Sequence, residues 1–237
     1  MIAHCNLSAL LTGIVLCGSA LASLGAPLVD GITFAAAPGT VFVPLDEAAG
    51  ALRWPLAHDP ERKVLVLNRR DVPLDSLRRL VDGTELVSLA DLQRAGARIK
   101  PDSSGWSALV SARFRHFTVA VGPKRTEISL RQQKLRAWQG RRLVLETRIS
   151  SGRNNRTPSG NFRAGPYKAR RHFSSLYENA PMPWSVQVTG HVFIHGFTSV
   201  PKYPASHGCI RVPLTNGNPA RFFYEWVDKG TPIRIAK

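Results

Sequence analysis

The chain has 237 residues, of which 43% are hydrophobic and 20% are charged, as expected of one large or two small globular domains. Lysine and arginine outnumber aspartate and glutamate by 32 to 16, giving a formal net charge of +16, which attracts polyanions. The basic residues are dispersed, and no zinc-finger or RRM signature is visible. The sequence therefore disfavours a dedicated nucleic-acid-binding protein. It favours a solvated basic surface, and affinity for acidic polymers is the second interpretation.

The N-terminus has the pattern of an export signal. Residues 7–22 contain no charged side chain, and Ala20-Leu21-Ala22 is typical of a signal-peptidase cleavage site. We therefore interpret residues 1–22 as a signal peptide and expect the protein in the periplasm or cell envelope. The alternative is an uncleaved membrane anchor, because the apolar run continues to about Ala26 and approaches the ~20 residues that span a bilayer.

The region from 27 to 115 is predicted to form a small α+β accessory domain. The patterns predict a strand over 40–45, a short helix over 46–52 and a second strand over 63–67. A similar order of strand, helix and hairpin recurs over 82–110, which indicates a weak internal repeat, with chance similarity as the alternative. These features resemble the N-terminal domain of copper amine oxidases. The resemblance implies no metal function here, and we expect a structural or positioning role.

The region from 124 to 237 follows a break at Gly122-Pro123 and is predicted to be β-rich with one packed helix. Strands are predicted over 143–149, 186–188, 192–194 and 231–235. The helix begins after Asn218, whose side chain can cap it, and its buried face is predicted to carry Phe222, Phe223 and Trp226.

The sequence Ser206-His207-Gly208-Cys209-Ile210-Arg211 is the strongest functional signal. After removal of the signal peptide, which holds Cys5 and Cys17, Cys209 is the one remaining thiol and has no internal disulfide partner. An exported lone thiol with histidines nearby in sequence, at His207 and His195, is typical of a catalytic nucleophile.

This motif, with the upstream pair His195-Gly196, resembles the active-site signature of the L,D-transpeptidases, which are cysteine enzymes that remodel bacterial peptidoglycan. The resemblance extends over about 124–237 and includes an opening strand at 128–135, residues 150–152, the turn at 157–162, Met182-Pro183-Trp184 and the closing strand at 230–235. It implies an L,D-transpeptidase-type mixed β-sandwich.

The resemblance also implies roles for the motif residues. Cys209 is the expected nucleophile and His195 the general base, with the carbonyl of Gly196 orienting the imidazole ring. His207 is expected to tune the thiolate, and exchange of the two histidine roles is the main alternative. Gly208 and the backbone N–H of Cys209 are expected to form an oxyanion site, and Ser206 to hold the loop.

Substrate contacts are expected from Arg211, Trp184, Met182 and Tyr167. A guanidinium at Arg211 can bind a substrate carboxylate, although a structural role is the equal alternative. A zinc site is a further alternative, because zinc-binding residue types recur at His191, His195, His207 and Cys209. Their spacing matches no standard zinc motif, and we expect no metal or organic cofactor.

The implied reaction is attack of the cysteine on the bond between the third residue of a peptidoglycan stem and its terminal D-alanine. Transfer of the acyl group to an amine on a second stem would give a 3→3 crosslink, and transfer to a protein amine would attach that protein to the wall. Transfer to water would make the protein an L,D-carboxypeptidase or another hydrolase of stems. The alternative outside enzymology is a non-catalytic wall-binding protein.

Overall fold

The computed structural model describes residues 26–237. The predicted signal peptide, with Cys5 and Cys17, lies outside these residues. No helix within them is both long enough and apolar enough to cross a bilayer.

The first half is organised around a seven-stranded sheet. In spatial order its strands are β6 (Arg78–Arg79), β7 (Glu85–Ser88), β2 (Ala37–Pro44), β1 (Leu28–Phe34), β10 (Arg115–Val121), β9 (Ser107–Ala112) and β8 (Arg98–Pro101). A separate antiparallel sheet contains β3 (Leu56–Asp59), β4 (Val64–Leu67) and β5 (Arg70–Pro73). Two short helices, α1 (Leu45–Leu52) and α2 (Leu89–Arg94), and a 3₁₀ turn at Leu74–Ser76 complete this half.

Each short helix directly follows a strand, as predicted. In α1 the buried side chains recur at the helical period, at Leu45, Ala48, Ala49 and Leu52. In α2 the hydroxyl of Ser88 accepts a hydrogen bond from the Asp91 N–H, which caps the first turn. Both helices are followed by antiparallel strands, so the order of elements over 82–110 is similar to that over 40–67. The repeat and its family resemblance remain predictions.

The second half contains two sheets. The five-stranded sheet has the order β13 (Arg142–Arg148), β12 (Lys134–Gln139), β11 (Lys124–Ser129), β19 (Pro232–Ala236) and β14 (Gly160–Arg163). The four-stranded sheet has the order β15 (Lys168–Ala169), β16 (Ser185–Thr189), β17 (Val192–Phe197) and β18 (Ile210–Pro213). A 3₁₀ turn spans Arg153–Asn155, and α3 spans Pro219–Trp226. Parallel pairs β11–β19 and β17–β18 occur among antiparallel ones, so the predicted mixed, β-rich class is confirmed.

One predicted strand is wrong. Residues 128–135 do not form a single strand but contain the end of β11, a turn and the start of β12. The hydroxyl of Ser129 accepts a hydrogen bond from the Gln132 N–H, and Gln133 has a left-handed backbone with φ of 49°. These local features reverse the chain, because a left-handed residue cannot continue an extended strand.

The hydrophobic core of the second half includes side chains from the first half. Phe34 of β1 makes edge-to-face contacts with Phe42 and with Phe222 of α3, both at a centroid distance of 5.7 Å. Arg78 lies over the Phe34 ring and pairs with Glu225 of α3 at 3.3 Å. A second core cluster lies entirely within the first half. The first sheet ends at Val121, and the predicted division into domains at 27–115 and 124–237 remains a prediction.

Candidate active site

The parallel pairing of β17 and β18 brings together two parts of the predicted motif. His195 on β17 is in register with Arg211 on β18, and Cys209 immediately precedes β18. A cavity of about 60 Å³ opens beside them. It is lined by Ser174, Tyr177, Ala180, Pro181, Met182, His195, Phe197, Ser206, His207, Cys209 and Arg211.

The loop before Cys209 is held by two hydroxyl groups. The Ser206 hydroxyl donates to the Cys209 carbonyl at 2.6 Å and accepts from the Gly208 N–H at 3.1 Å. The Thr157 hydroxyl donates to the Gly208 carbonyl at 2.7 Å and accepts from the Gly152 N–H at 2.7 Å. These bonds tie the loop to the segment around residue 152, and thereby set the position of the cysteine.

Gly208 has a φ of 149°, which an L side chain rarely adopts. Its N–H is already engaged with Ser206, so it does not point freely into the cavity as an oxyanion donor would. Of the two N–H groups expected at an oxyanion site, only that of Cys209 is therefore kept as the candidate donor.

His195 is held in one tautomer by the neighbouring carbonyl. Its Nδ1 lies 2.9 Å from the Gly196 carbonyl oxygen, and because a carbonyl only accepts, Nδ1 carries the proton and Nε2 keeps its lone pair. The residue is only 4% exposed. Burial, with smaller contributions from the charges of Arg211 and His172, lowers the pKa of His195 to about 4, so the ring is neutral at neutral pH.

The Cys209 sulfur lies beside the start of β17, and its Sγ–H donates to the His191 carbonyl oxygen at 3.4 Å. Burial raises the pKa of the Cys209 thiol, while a hydrogen bond from the Phe193 N–H and the charge of Arg211 oppose this rise. The resting site therefore contains a protonated thiol and a neutral imidazole in one cavity.

His207 has different surroundings from His195. It is exposed, its ring stacks on Tyr177 at a centroid distance of 4.4 Å, and its Nε2 accepts from the Arg153 guanidinium at 2.9 Å. Slight desolvation by its neighbours, and then the charges of Arg153, Arg156 and Arg211, lower the pKa of His207. An Nε2 that is already occupied by a donor is poorly placed to take a proton, which favours His195 as the base.

The four expected substrate contacts separate into two groups. Met182 and Arg211 line the cavity, and the Arg211 guanidinium lies 4.0 Å from the Phe197 ring centroid. Trp184 and Tyr167 are absent from the lining.

Each of these two rings has other neighbours. Trp184 has a left-handed backbone with φ of 57° and packs between Tyr224 and Arg170. The Tyr167 ring packs against His172 and Phe193. The expectation that these two aromatic side chains line the cleft is therefore not met.

Several residues near the cavity are not predicted by the sequence patterns. Tyr177, Arg153 and Phe197 contact motif residues. Tyr177 lies in an irregular loop and Arg153 begins a short 3₁₀ turn, where no periodic pattern marks either residue. The sequence marks Thr157 only as part of a turn, whereas its two hydrogen bonds link that turn to the loop before Cys209. Across the part of the chain that the structure describes, no three His, Cys, Asp or Glu side chains form a group able to hold a metal.

The site lies within a region that is similar to a known protein family. Residues 123–235 match the family model of the L,D-transpeptidase catalytic domain. An L,D-transpeptidase structure from Xylanimonas cellulosilytica is 30% identical, covers 49% of this chain and 61% of its own, and has a TM-score of 0.43. One from Stackebrandtia nassauensis is 19% identical, covers 48% and 56%, and has a TM-score of 0.43.

An L,D-transpeptidase from Mycobacterium smegmatis is 18% identical over 91% of this chain and 96% of its own, with a TM-score of 0.43. This chain spans less than two thirds of the first two structures. No curated protein matches it. Residues 123–235, just under half of this chain, thus match the L,D-transpeptidase catalytic-domain family.

Proposed function

We propose that this protein is a cysteine L,D-transpeptidase that forms 3→3 crosslinks between peptidoglycan stems through a thioester on Cys209. The observation that carries the proposal is the hydrogen bond from His195 Nδ1 to the Gly196 carbonyl, which leaves Nε2 as an acceptor in the cavity that contains the thiol. This arrangement supplies a nucleophile, a base and a group that orients the base.

In the acylation step the Cys209 thiol gives its proton to His195 Nε2 as sulfur attacks the carbonyl carbon of the bond before the terminal D-alanine. The oxyanion receives a hydrogen bond from the Cys209 N–H, a contribution worth about 3 kcal/mol at comparable sites. The C–N bond then breaks, the departing amine takes the proton from His195, and D-alanine leaves a thioester on the sulfur.

In the transfer step the amine of a second stem gives a proton to His195 and attacks the thioester carbon. The C–S bond breaks, an amide forms, and the proton returns to the sulfur. No external energy source is required, because the thioester retains the reactivity of the bond that was cleaved. An acceptor protein amine would complete the same step by tethering that protein to the wall.

The test is intact-mass spectrometry of the protein with a disaccharide-tetrapeptide, beside Cys209→Ala. We expect an adduct on the unsubstituted protein alone, released D-alanine and a crosslinked dimer. An adduct that yields only trimmed tripeptide would overturn the crosslinking activity in favour of an L,D-carboxypeptidase. Absence of turnover, with wall binding equal in both proteins, would favour the non-catalytic wall-binding protein.

We also propose that the chain is exported to the periplasm or cell envelope, because its substrate lies there and its N-terminus has the pattern of a signal peptide. Cell fractionation with N-terminal sequencing tests this. Export predicts an envelope protein that begins after Ala22, whereas retention of residues 1–22 in the membrane fraction would indicate the anchor.

A further inference from the structure

A cavity much larger than the one at Cys209 lies in the first half. It has a volume of about 1030 Å³ and is formed by the end of α1, the turn between β4 and β5, and the turn between β9 and β10. Small-molecule sites typically measure about 300–1,000 Å³, so this cavity is large enough for part of an extended ligand. We call it the arginine pocket after the residues that line it, Arg53, Arg69, Arg70, Arg113 and Arg115.

The charge of the arginine pocket is not neutralised by the chain. No aspartate or glutamate lines it. Within residues 26–237 none of its five arginines forms an ion pair, whereas arginines elsewhere in the same half, such as Arg62, Arg79 and Arg94, each pair with a carboxylate. Residues 1–25 contain no aspartate or glutamate that might supply one. All five arginines are exposed, so their charge is available to a ligand.

The backbone at three of these arginines makes their presence unexpected. Arg53, Arg69 and Arg113 have φ values of 53°, 62° and 52°, in the left-handed region where glycine and asparagine are favoured. Each lies where the chain reverses, so glycine would serve the turn equally well. Glycine or asparagine could therefore replace these arginines without disturbing the backbone.

The pocket also presents two aromatic rings. Phe114, at the tip of the β9–β10 turn, is 97% exposed, and Trp54 is partly exposed beside Arg53. An exposed ring of this kind provides an apolar surface for a ligand. Guanidinium groups bind carboxylates through two parallel hydrogen bonds, so rings and arginines together suit a polymer that alternates apolar ring faces with carboxylates.

We propose that the arginine pocket is a second peptidoglycan-binding site, which takes the free carboxylates of stem peptides and the adjoining sugar rings. This proposal rests on the proposed function, because the catalytic domain on the same chain acts on stems that end in carboxylates. The pocket is concave, which suits a polymer strand better than a flat membrane surface. Its role is to hold the wall while the cavity at Cys209 processes a stem.

The experiment measures co-sedimentation with purified sacculi, using the full chain with Cys209→Ala so that binding does not depend on chemistry. The pocket variant combines Arg53→Gly, Arg69→Asn, Arg113→Asn and Arg115→Gln, and the first three substitutions place residues that tolerate positive φ. A matched control removes four positive charges outside the pocket, through Lys100→Gln, Arg131→Gln, Arg141→Gln and Arg148→Gln. Thermal melting by circular dichroism verifies that both variants are folded.

We expect the pocket variant to lose affinity for sacculi by at least about tenfold and the control by less than about twofold, because the contact is through specific guanidinium–carboxylate pairs. Amidation of the sacculus carboxyl groups should reduce binding of the parent protein as much as the pocket substitutions do. Removal of phosphodiester-linked polymers with hydrofluoric acid should leave binding of the parent protein unchanged.

Equal losses in the pocket and control variants would overturn the proposal, since they would indicate net charge alone. So would loss of binding after hydrofluoric acid treatment, or tighter binding of the parent to duplex DNA or to anionic vesicles than to sacculi. With Cys209 intact, the pocket variant should process a soluble disaccharide-tetrapeptide at the parent rate. A failure of the proposed chemistry would appear in that assay and leave the sedimentation result unaffected.

Discussion

The ionisation of the two central residues at the site is set by burial, in opposite directions for the two groups. Burial raises the pKa of Cys209 and lowers that of His195, and in both cases it favours the neutral form. A preformed thiolate–imidazolium pair is therefore disfavoured in the free protein. In the proposed reaction, proton transfer from sulfur to nitrogen would then accompany substrate binding or attack, which is general-base catalysis.

The first prediction concerns the thiol. The rate of Cys209 alkylation by iodoacetamide should keep rising with pH beyond the value of ~8.5 at which an ordinary cysteine titrates, because only the thiolate reacts. Mass spectrometry of the Cys209 peptide measures the rate, and the same peptide in unfolded protein is the control. A rate that levels off below neutral pH would show a stabilised thiolate and contradict the argument.

The second prediction concerns His195 and stability. Because its pKa falls from 6.5 in the unfolded chain to about 4 in the folded one, the unfolded state binds the extra proton between these values. The contribution of His195 to the free energy of unfolding is therefore fully present above pH 6.5. It is lost as the pH falls to about 4, by up to about 3 kcal/mol. Urea unfolding at about pH 7 and about pH 4 measures the loss. His195→Gln should show a smaller loss, and an equal loss in both proteins would contradict the assignment.

At the level of elements, the close approach of two loops holds Cys209, the proposed nucleophile, in place. A Cβ atom on Gly152 would lie 2.8 Å from the Gly208 Cα and 2.9 Å from the Thr157 nitrogen. Both neighbours are backbone atoms, and Gly208 is hydrogen-bonded to Thr157, so neither can yield without moving the loop that carries Cys209. Glycine at this position is required by packing and not by its own dihedral angles.

The third prediction is that Gly152→Ala lowers kcat by on the order of a hundredfold, because displacement of a reacting group by about 1 Å has an effect of that size. Gly50→Ala is the matched control. Gly50 lies in α1 with a helical backbone and open space around its Cα, so alanine there should preserve activity and add about 0.5–1 kcal/mol of stability. Steady-state kinetics and thermal melting measure both effects, and normal kcat in Gly152→Ala would refute the role of the loop contact.

Elements with strong local signals agree with the sequence-based prediction, and those set by turns do not. Helix α3 begins next to Asn218, whose side-chain oxygen accepts from the Arg221 N–H at 3.0 Å, and its apolar face is buried as the spacing predicts. The family resemblance implies one strand at 128–135, and the turn of the observed hairpin contains neither glycine nor proline to indicate a reversal. A hydroxyl cap at Ser129 and a left-handed Gln133 replace those signals, and both are weak markers in a sequence.

At the scale of the whole molecule, the two halves share one of the two core clusters. Phe34 from the first half is 3% exposed and packs against Phe222 of α3, which follows the strand that carries Arg211. The active-site half therefore depends on the first half for part of its hydrophobic core. We expect the two halves to unfold together, since a shared core couples their stabilities.

The fourth prediction is that Phe34→Ala destabilises the protein by about 3–5 kcal/mol, as large cavities in cores do. Hydrogen exchange should show the loss of protection in α3 as well as in β1. Phe114→Ala removes the same atoms from a residue that is 97% exposed. It should leave the free energy of unfolding and the hydrogen-exchange protection unchanged. Loss of protection confined to the first half would contradict a shared core.

The sequence by itself determined the strand-rich class and identified Cys209 and its accompanying histidines as candidate site residues, because these follow from residue type, spacing and local propensity. Only the tertiary structure decided that Met182 lines the cavity while Trp184 and Tyr167 do not, that burial keeps His195 neutral, and that five distant arginines meet in one pocket. The burial of a side chain and the electrostatic potential around it depend on residues that are far apart in the chain. A local sequence pattern does not contain this information, which becomes available only when the sheets pack together.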